Sequence, residues 1–213
     1  MDFLPSLPTA LAFIAASLLL AATPGPDMTL SISRALSQGK TPALYVVLGT
    51  SLGIVVHTLL VAFGISALIT ASPIAFTILK TGGAAYLLWL ALQAIRFGSK
   101  LTVNTVEEAR GTPLSNISSG FWVNLLNPKV IIFFMTFLPQ FVTAGDPGVT
   151  QKLLFFGFLF ILVGMPVNAM VVLASDKLAS WLQSNRKVLR GMDYTFAGVF
   201  SIFAAKIFFT HAR

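Results

Sequence analysis

Six apolar stretches take up most of this chain, at about residues 4–22, 42–69, 74–95, 120–142, 153–174 and 190–209. Each approaches or exceeds the roughly 20 residues a helix needs to cross a hydrocarbon core about 30 Å thick. Inside lipid a backbone must satisfy its own hydrogen bonds, so such stretches are helical. Charged residues make up 10% of the chain, against about a quarter in a soluble domain. That scarcity excludes a soluble enzyme with a surface to keep wet, and a disordered chain. The formal charge of +7 suits membrane orientation better than a phosphate footprint, so no nucleic-acid partner is expected. The expectation is an all-α membrane protein of about six transmembrane helices, with the lipid bilayer as its surroundings.

The stretches fall into two groups of three. A polar linker over 97–119 separates a first unit, 1–96, from a second, 120–213, within one integral membrane domain. Lys80 and Arg96 bracket the third stretch at the same spacing as Arg190 and Lys206 bracket the sixth, which matches Leu79 with Leu189 and Ala94 with Ala204. An odd number of spans per unit makes these inverted-topology repeats. Pro26 stands 54 residues before Lys80 and Pro128 stands 62 before Arg190, which leaves the register between the repeats open.

Only Asp2 precedes the first stretch among charged residues, so it reads as a retained helix, not a secretory signal. Arg34, Lys40, Arg96, Lys100, Arg110, Lys177, Arg186, Lys187 and Arg190 fall on one side of the spans. Lys80, Lys152, Lys206 and Arg213 fall on the other. The basic excess marks the cytoplasmic face and predicts both termini outside.

Several chemistries are absent from the outset. There is no cysteine, hence no disulfide, thiolate metal site or thiol redox step. His57 and His211 stand far apart, and Gly39-Lys40-Thr41 has Arg34 where a phosphate-binding loop needs its first glycine. No cofactor and no resident metal are expected.

Two places break the rules for a membrane helix. The first is Ala22-Thr23-Pro24-Gly25-Pro26-Asp27. Each proline lacks an N–H and clashes with the preceding turn, so the helix stops and several carbonyls lose their partners. Such backbone is tolerated only where protein buries it or it lines a wet cavity. Residues 28–34 resume a helical pattern, which puts Asp27 at a half-helix N-terminus, where the dipole favours its anion. The alternative is a plain loop after the first helix, with Asp27 as its cap.

The second is Asn124-Leu125-Leu126-Asn127-Pro128-Lys129, inside the fourth stretch. A lysine at a helix centre costs about 2.5–3.5 kcal/mol on insertion scales, so it should be paired or line a cavity. Pro128 breaks the helix beside it, and Asn127 can satisfy backbone groups that the break frees. The alternative is a lysine snorkelling from a shortened helix. Helices one and four are therefore expected to be broken, with Asp27 and Lys129 meeting between them.

Other polar residues are weaker candidates. Gly49, Gly53 and His57 recur every four residues, a small-residue groove leading to an imidazole that either packs or carries protons. Tyr86, Gln93 and Asn168 would either line a cavity or bond a neighbouring helix. Gly82-Gly83-Ala84-Ala85 reads as a close-packing surface, and the phenylalanines of the last three helices as lipid-facing bulk.

Four segments occurring in order carry a family resemblance: 22–27, Gly83-Ala84-Ala85-Tyr86-Leu87 with Trp89, 121–129, and Phe137-Leu138-Pro139-Gln140-Phe141. Over nearly the whole chain the sequence resembles the lysine exporter family, in particular its homoserine/threonine efflux (RhtB-like) branch. The resemblance implies an amino-acid exporter of the bacterial inner membrane, driven by an ion gradient. It places the transport site at Pro24, Gly25, Pro26, Asp27, Asn124, Asn127, Pro128 and Lys129. The expected mechanism is alternating access. Lys129 and half-helix N-termini would take the substrate carboxylate, and Asp27 and freed carbonyls its ammonium, after Asp27 releases a coupling proton. The implied partners are an amino acid and a proton, and a homo-oligomer is left open. A metal-ion or small-solute exporter or channel is the alternative, and an intramembrane enzyme a more distant one.

Overall fold

A computed structural model describes residues 4–97, 111–143 and 148–210. The linker residues Lys100, Glu107, Glu108 and Arg110, the turn residues 145–147, and His211 and Arg213 lie outside the described residues. Among the described residues every regular element is helical. The chain is an all-α membrane protein.

Helix α1, Leu7–Ala22, opens on Ser6, whose Oγ accepts from the Thr9 N–H. It ends at Thr23, and α2, Pro26–Gln38, follows at an angle of 51°. Gly39, with φ +97°, joins α2 to α3, Lys40–Ala71, in a conformation that L side chains rarely adopt. This glycine is a joint between helices. Helix α4, Pro73–Phe97, follows Ser72 directly.

The second group begins with α5, Pro113–Leu125, capped by Thr112. Helix α6, Pro128–Ile132, runs on through a π-helical turn, Phe133–Phe137, and a 3-10 turn, Leu138–Phe141. The bend between α5 and this composite arm is 53°. Then come α7, Val149–Leu173, the short α8, Ser175–Ser184, and α9, Arg186–Thr210. The chain thus has two bent helix pairs, at the two places where the sequence predicts broken helices. Among the described residues three helices, α3, α4 and α7, are long and apolar enough to cross a membrane singly, and the number rises to five if each bent pair is one span and not a re-entrant loop. The sixth apolar stretch forms α9, 25 residues long, with Lys187, Arg190 and Asp193 in its first turns.

Helix α3 is the central strut. At 32 residues it is about 48 Å long. Its outer face presents Leu44, Leu48, Leu52, Leu60 and Phe63, each more than a third exposed, as a helix bathed in lipid requires. Its inner face carries Gly49, Gly53 and His57 along α5. A Cβ at Gly49 would collide with the Ile117 carbonyl oxygen, and one at Gly120 with the Val46 carbonyl oxygen. Two helices meet here backbone to backbone, because neither has a side chain at the crossing.

Helices α4 and α9 pack antiparallel. Arg190 Nη1 donates to the Ala94 and Ile95 carbonyls (3.4 and 2.9 Å), covering the last turn of α4. At the other end Ala84 and Ala204 pack together, both buried. Lys80, read from the sequence as bracketing the third stretch, lies in the third turn of α4. It is buried and donates to the Val142 carbonyl at 3.2 Å.

The phenylalanines correct an expectation. Phe133, Phe134, Phe137, Phe156 and Phe200 are at most 1% exposed and form the core with Phe13 of α1. Ring centroids of Phe133 and Phe137 stand 4.7 Å apart, and those of Phe13 and Phe156 4.8 Å. Phe133, Phe134, Phe137 and Leu138 all face inward, at the i, i+1, i+4, i+5 spacing of one helical face. Lipid is as apolar as a protein core, so apolar composition carries no information about which side a phenylalanine takes.

Gly120→Ala is expected to lower the melting temperature of the detergent-purified protein by several degrees, because overpacking against a backbone costs about 1–3 kcal/mol or more. Gly82→Ala, whose Cβ would meet nothing within 4 Å, should leave it unchanged or raise it. Equal melting temperatures for the two variants would overturn the close α3–α5 crossing.

Candidate functional site

The site forms where the two broken helices face each other. Thr23 ends α1, its N–H and Oγ1 both donating to the Leu19 carbonyl (3.0 and 2.6 Å). Pro24 and Pro26 have no N–H to offer, and Gly25 is extended, so carbonyls at the end of α1 are left for other donors. Pro26 occupies the first helical position of α2, which suits its fixed φ, and Asp27 lies in the first turn.

On the other side α5 ends at Leu125. Asn127 caps α6, its Oδ1 accepting from the Lys129 N–H at 3.0 Å. Pro128 again takes the first helical position. The predicted use of Asn127, to satisfy backbone freed by the break, is what the geometry displays.

The two breaks serve each other. Lys129 Nζ donates to the Leu20 carbonyl at 2.9 Å and to the Thr23 carbonyl at 2.7 Å, two of the acceptors at the end of α1. In return, the Asp27 carboxylate accepts from Asn124 Nδ2 at 2.7 Å and from Asn127 Nδ2 at 2.9 Å. Hydrogen bonds to charged groups contribute about 1.5–3 kcal/mol each, so two of them offset the roughly 2.5–3.5 kcal/mol that a lysine costs at this depth. Asp27 and Lys129 border one cavity, but in place of the expected pairing each is held by uncharged dipoles of the opposite broken helix.

That cavity is small, about 40 Å³. Gly25, Asp27, Asn124, Asn127 and Lys129 line it, and so does Asn168 of α7. Its apolar walls are Leu20, Met28, Ile54, Val130 and Phe160. A Cβ at Gly25 would lie 3.5 Å from Lys129 Cδ, so the lysine stem runs directly over the first break. Asn124 is fully buried, and its Oδ1 has no hydrogen-bond partner.

His57 stands behind the cavity. Its Nε2 is 3.4 Å from the Asn124 carbonyl oxygen, and its ring lies 5.8 Å from that of Phe134, tilted by 33°. It thereby braces the turn that presents Asn124 to Asp27. Tyr86 packs against Trp89, ring centroids 5.0 Å apart, and neither Tyr86 nor Gln93 is among the residues lining the cavity.

Sequence reasoning missed the carbonyls of Leu20 and Thr23, which carry no side-chain signal. It also left Asp193 outside the site. Asp193 is fully buried on the inward stripe of α9 that includes Leu189, Phe196 and Phe200. An acid inside the sixth apolar stretch was the available signal.

A family model for LysE type translocators matches residues 18–210. The chain belongs to the LysE type translocator family. It is a transporter and not an enzyme. A homoserine/homoserine lactone efflux protein of Salmonella typhimurium is 29% identical over 196 residues, covering 91% of this chain and 93% of the relative. A leucine efflux protein of an Enterobacter species is 22% identical over 200 residues, covering 93% and 94%. A cysteine/O-acetylserine efflux protein of Escherichia coli is 36% identical over 132 residues, covering 62% and 64%. No solved structure matches the chain.

Asn127→Ala removes a carboxamide from Asp27 and the cap of α6, worth about 0.5–2 kcal/mol for the cap alone. Thermal unfolding in detergent should show a lower melting temperature for it than for Asn168→Ala, which keeps both contacts. The reverse order would count against the reciprocal clasp.

Proposed function

We propose that this translocator is a secondary active exporter of amino acids across the bacterial inner membrane, working by alternating access and coupled to proton entry. The single observation that carries the reading is the charge site. A carboxylate and an ammonium border one cavity while each is held by uncharged dipoles, which complements a zwitterion. The Lys129 ammonium suits the substrate's carboxylate, and the Asp27 carboxylate suits its ammonium. Besides the two charged side chains, the cavity is lined by the uncharged polar groups of Thr23, Asn124, Asn127 and Asn168 and by apolar walls. They favour an uncharged side chain such as that of homoserine or threonine. The efflux relatives named for homoserine, leucine and cysteine/O-acetylserine support the same substrate class.

The units 1–96 and 120–213 act as inverted repeats in this reading, with the linker between them. Their bends of 51° and 53°, and the antiparallel course of α4 and α9, support it. The basic excess then sets the cytoplasmic face and puts both termini outside. Proton coupling follows from competition at Asp27. A protonated carboxyl has no charge to offer an ammonium, so proton and substrate occupy it by turns.

The test is efflux of labelled homoserine, threonine or leucine from preloaded proteoliposomes. External acid should accelerate efflux several-fold, and a protonophore should abolish the acceleration. Asp27→Asn and Lys129→Met should each lose at least tenfold in rate while inserting normally. Full activity of Asp27→Asn would overturn its role, and wild-type vesicles that release no amino acid would overturn the function.

A further inference from the structure

A cavity of about 40 Å³ has room for about one water, whose share of liquid volume is about 30 Å³. Pockets that hold small molecules run to about 300–1,000 Å³. In this conformation, then, the charge site does not admit an amino acid, and something must move.

A groove of about 350 Å³ lies next to it, between the end of α1 and the first turns of α9. The last turn of α1 separates the two spaces. Leu20 and Ala21 face the cavity, Leu19 and Ala22 face the groove, and Thr23 touches both. These faces lie on opposite sides of one helical turn, so this turn is a partition one helix thick. On α9 the groove is bounded by Val188, Gly191, Met192 and Thr195, at helical spacing along one face. A Cβ at Gly191 would meet nothing within 4 Å, so the glycine keeps this space open.

The partition is held by the residue that the substrate would engage. Lys129 Nζ donates to the carbonyls of Leu20 and Thr23, both on the dividing turn. Pro24, Gly25 and Pro26 follow at once, so the turn continues into a break and not into a stiff helix. A carboxylate arriving at Lys129 competes with those two carbonyls for one ammonium.

We infer that the α1–α9 groove is the vestibule by which the amino-acid substrate reaches the charge site, and that the last turn of α1 is a gate latched by Lys129. This rests on the reading of the protein as an amino-acid exporter. When the turn swings, the latch bonds open, and the substrate carboxylate takes the freed ammonium and holds the turn open. Cavity and groove then join into a space of the size a small ligand needs. The groove's residues on α9 begin at Val188, next in sequence to Lys187, on the end expected to face the cytoplasm, the side from which an exporter loads. Thr23 and Thr195 supply hydroxyls in an otherwise apolar wall, which suits a neutral side chain passing between them.

The test fills the groove without touching the charge site. Gly191→Phe should fold as well as wild type, since its Cβ has open space. It should cut amino-acid efflux from proteoliposomes at least tenfold. Gly198→Phe, on the same helix and equally open at Cβ, should transport like wild type. If Gly191→Phe exports at the wild-type rate, the groove is only a lipid-facing surface and the inference fails. If wild-type protein exports no amino acid, it is the export reading that fails.

The chain's lack of cysteine gives a clean second measurement. In Ala22→Cys with Thr195→Cys, a reducible bifunctional thiol reagent should tie α1 to α9 and arrest efflux, and reductant should restore it. Unchanged efflux after complete cross-linking would overturn the gate.

Discussion

The structure depends on one constraint: a helix broken inside a membrane must find partners for the backbone groups it frees. Here each broken helix supplies the other's need. The carbonyls at the end of α1 go to the Lys129 ammonium, and the carboxylate at the start of α2 goes to the amides of Asn124 and Asn127. Neither break is tolerable alone. An uncapped break in lipid leaves polar backbone unsatisfied, and a lone lysine or aspartate there bears a full desolvation cost. Paired, they make a polar core inside the helix bundle.

The surrounding packing holds the two breaks in register. Gly49 and Gly120 let α3 and α5 meet at their backbones, which sets where α5 ends and hence where Asn124 points. His57, two turns beyond Gly49, supports the Asn124 carbonyl from behind. The phenylalanine core on the far side of the site, from Phe13 to Phe200, closes that end with apolar bulk. The opposite end is the thin one, where a single turn of α1 stands between cavity and groove.

Much of the site was legible in the sequence because proline, glycine and charge are conspicuous in apolar surroundings. Pro24-Gly25-Pro26-Asp27 and Asn127-Pro128-Lys129 announce both breaks, and Asn127 behaves as its type and position suggest. Other features were not legible. Tyr86 and Gln93 are polar residues on an apolar helix, like Asn168, yet only Asn168 reaches the cavity. Sequence spacing shows which residues share a helix face but not what that face meets. The phenylalanines were misplaced for a related reason: in a bilayer, inside and outside are equally greasy.

By itself, then, the sequence determined that this chain crosses a membrane as helices, that two of them break, and which charged side chains stand at the breaks. Those properties follow from local chemistry: hydrophobic length, missing N–H groups, and the cost of charge in lipid. The tertiary structure alone decided which partner each charge takes. The sequence suggested Asp27 against Lys129, whereas in the fold each is held by dipoles of the opposite broken helix. It also decided that Asp193 is buried inside the bundle and that one helical turn divides the cavity from the groove. Those outcomes depend on how helices far apart in the chain cross, and the crossings are set by glycine contacts and aromatic packing that no single segment encodes.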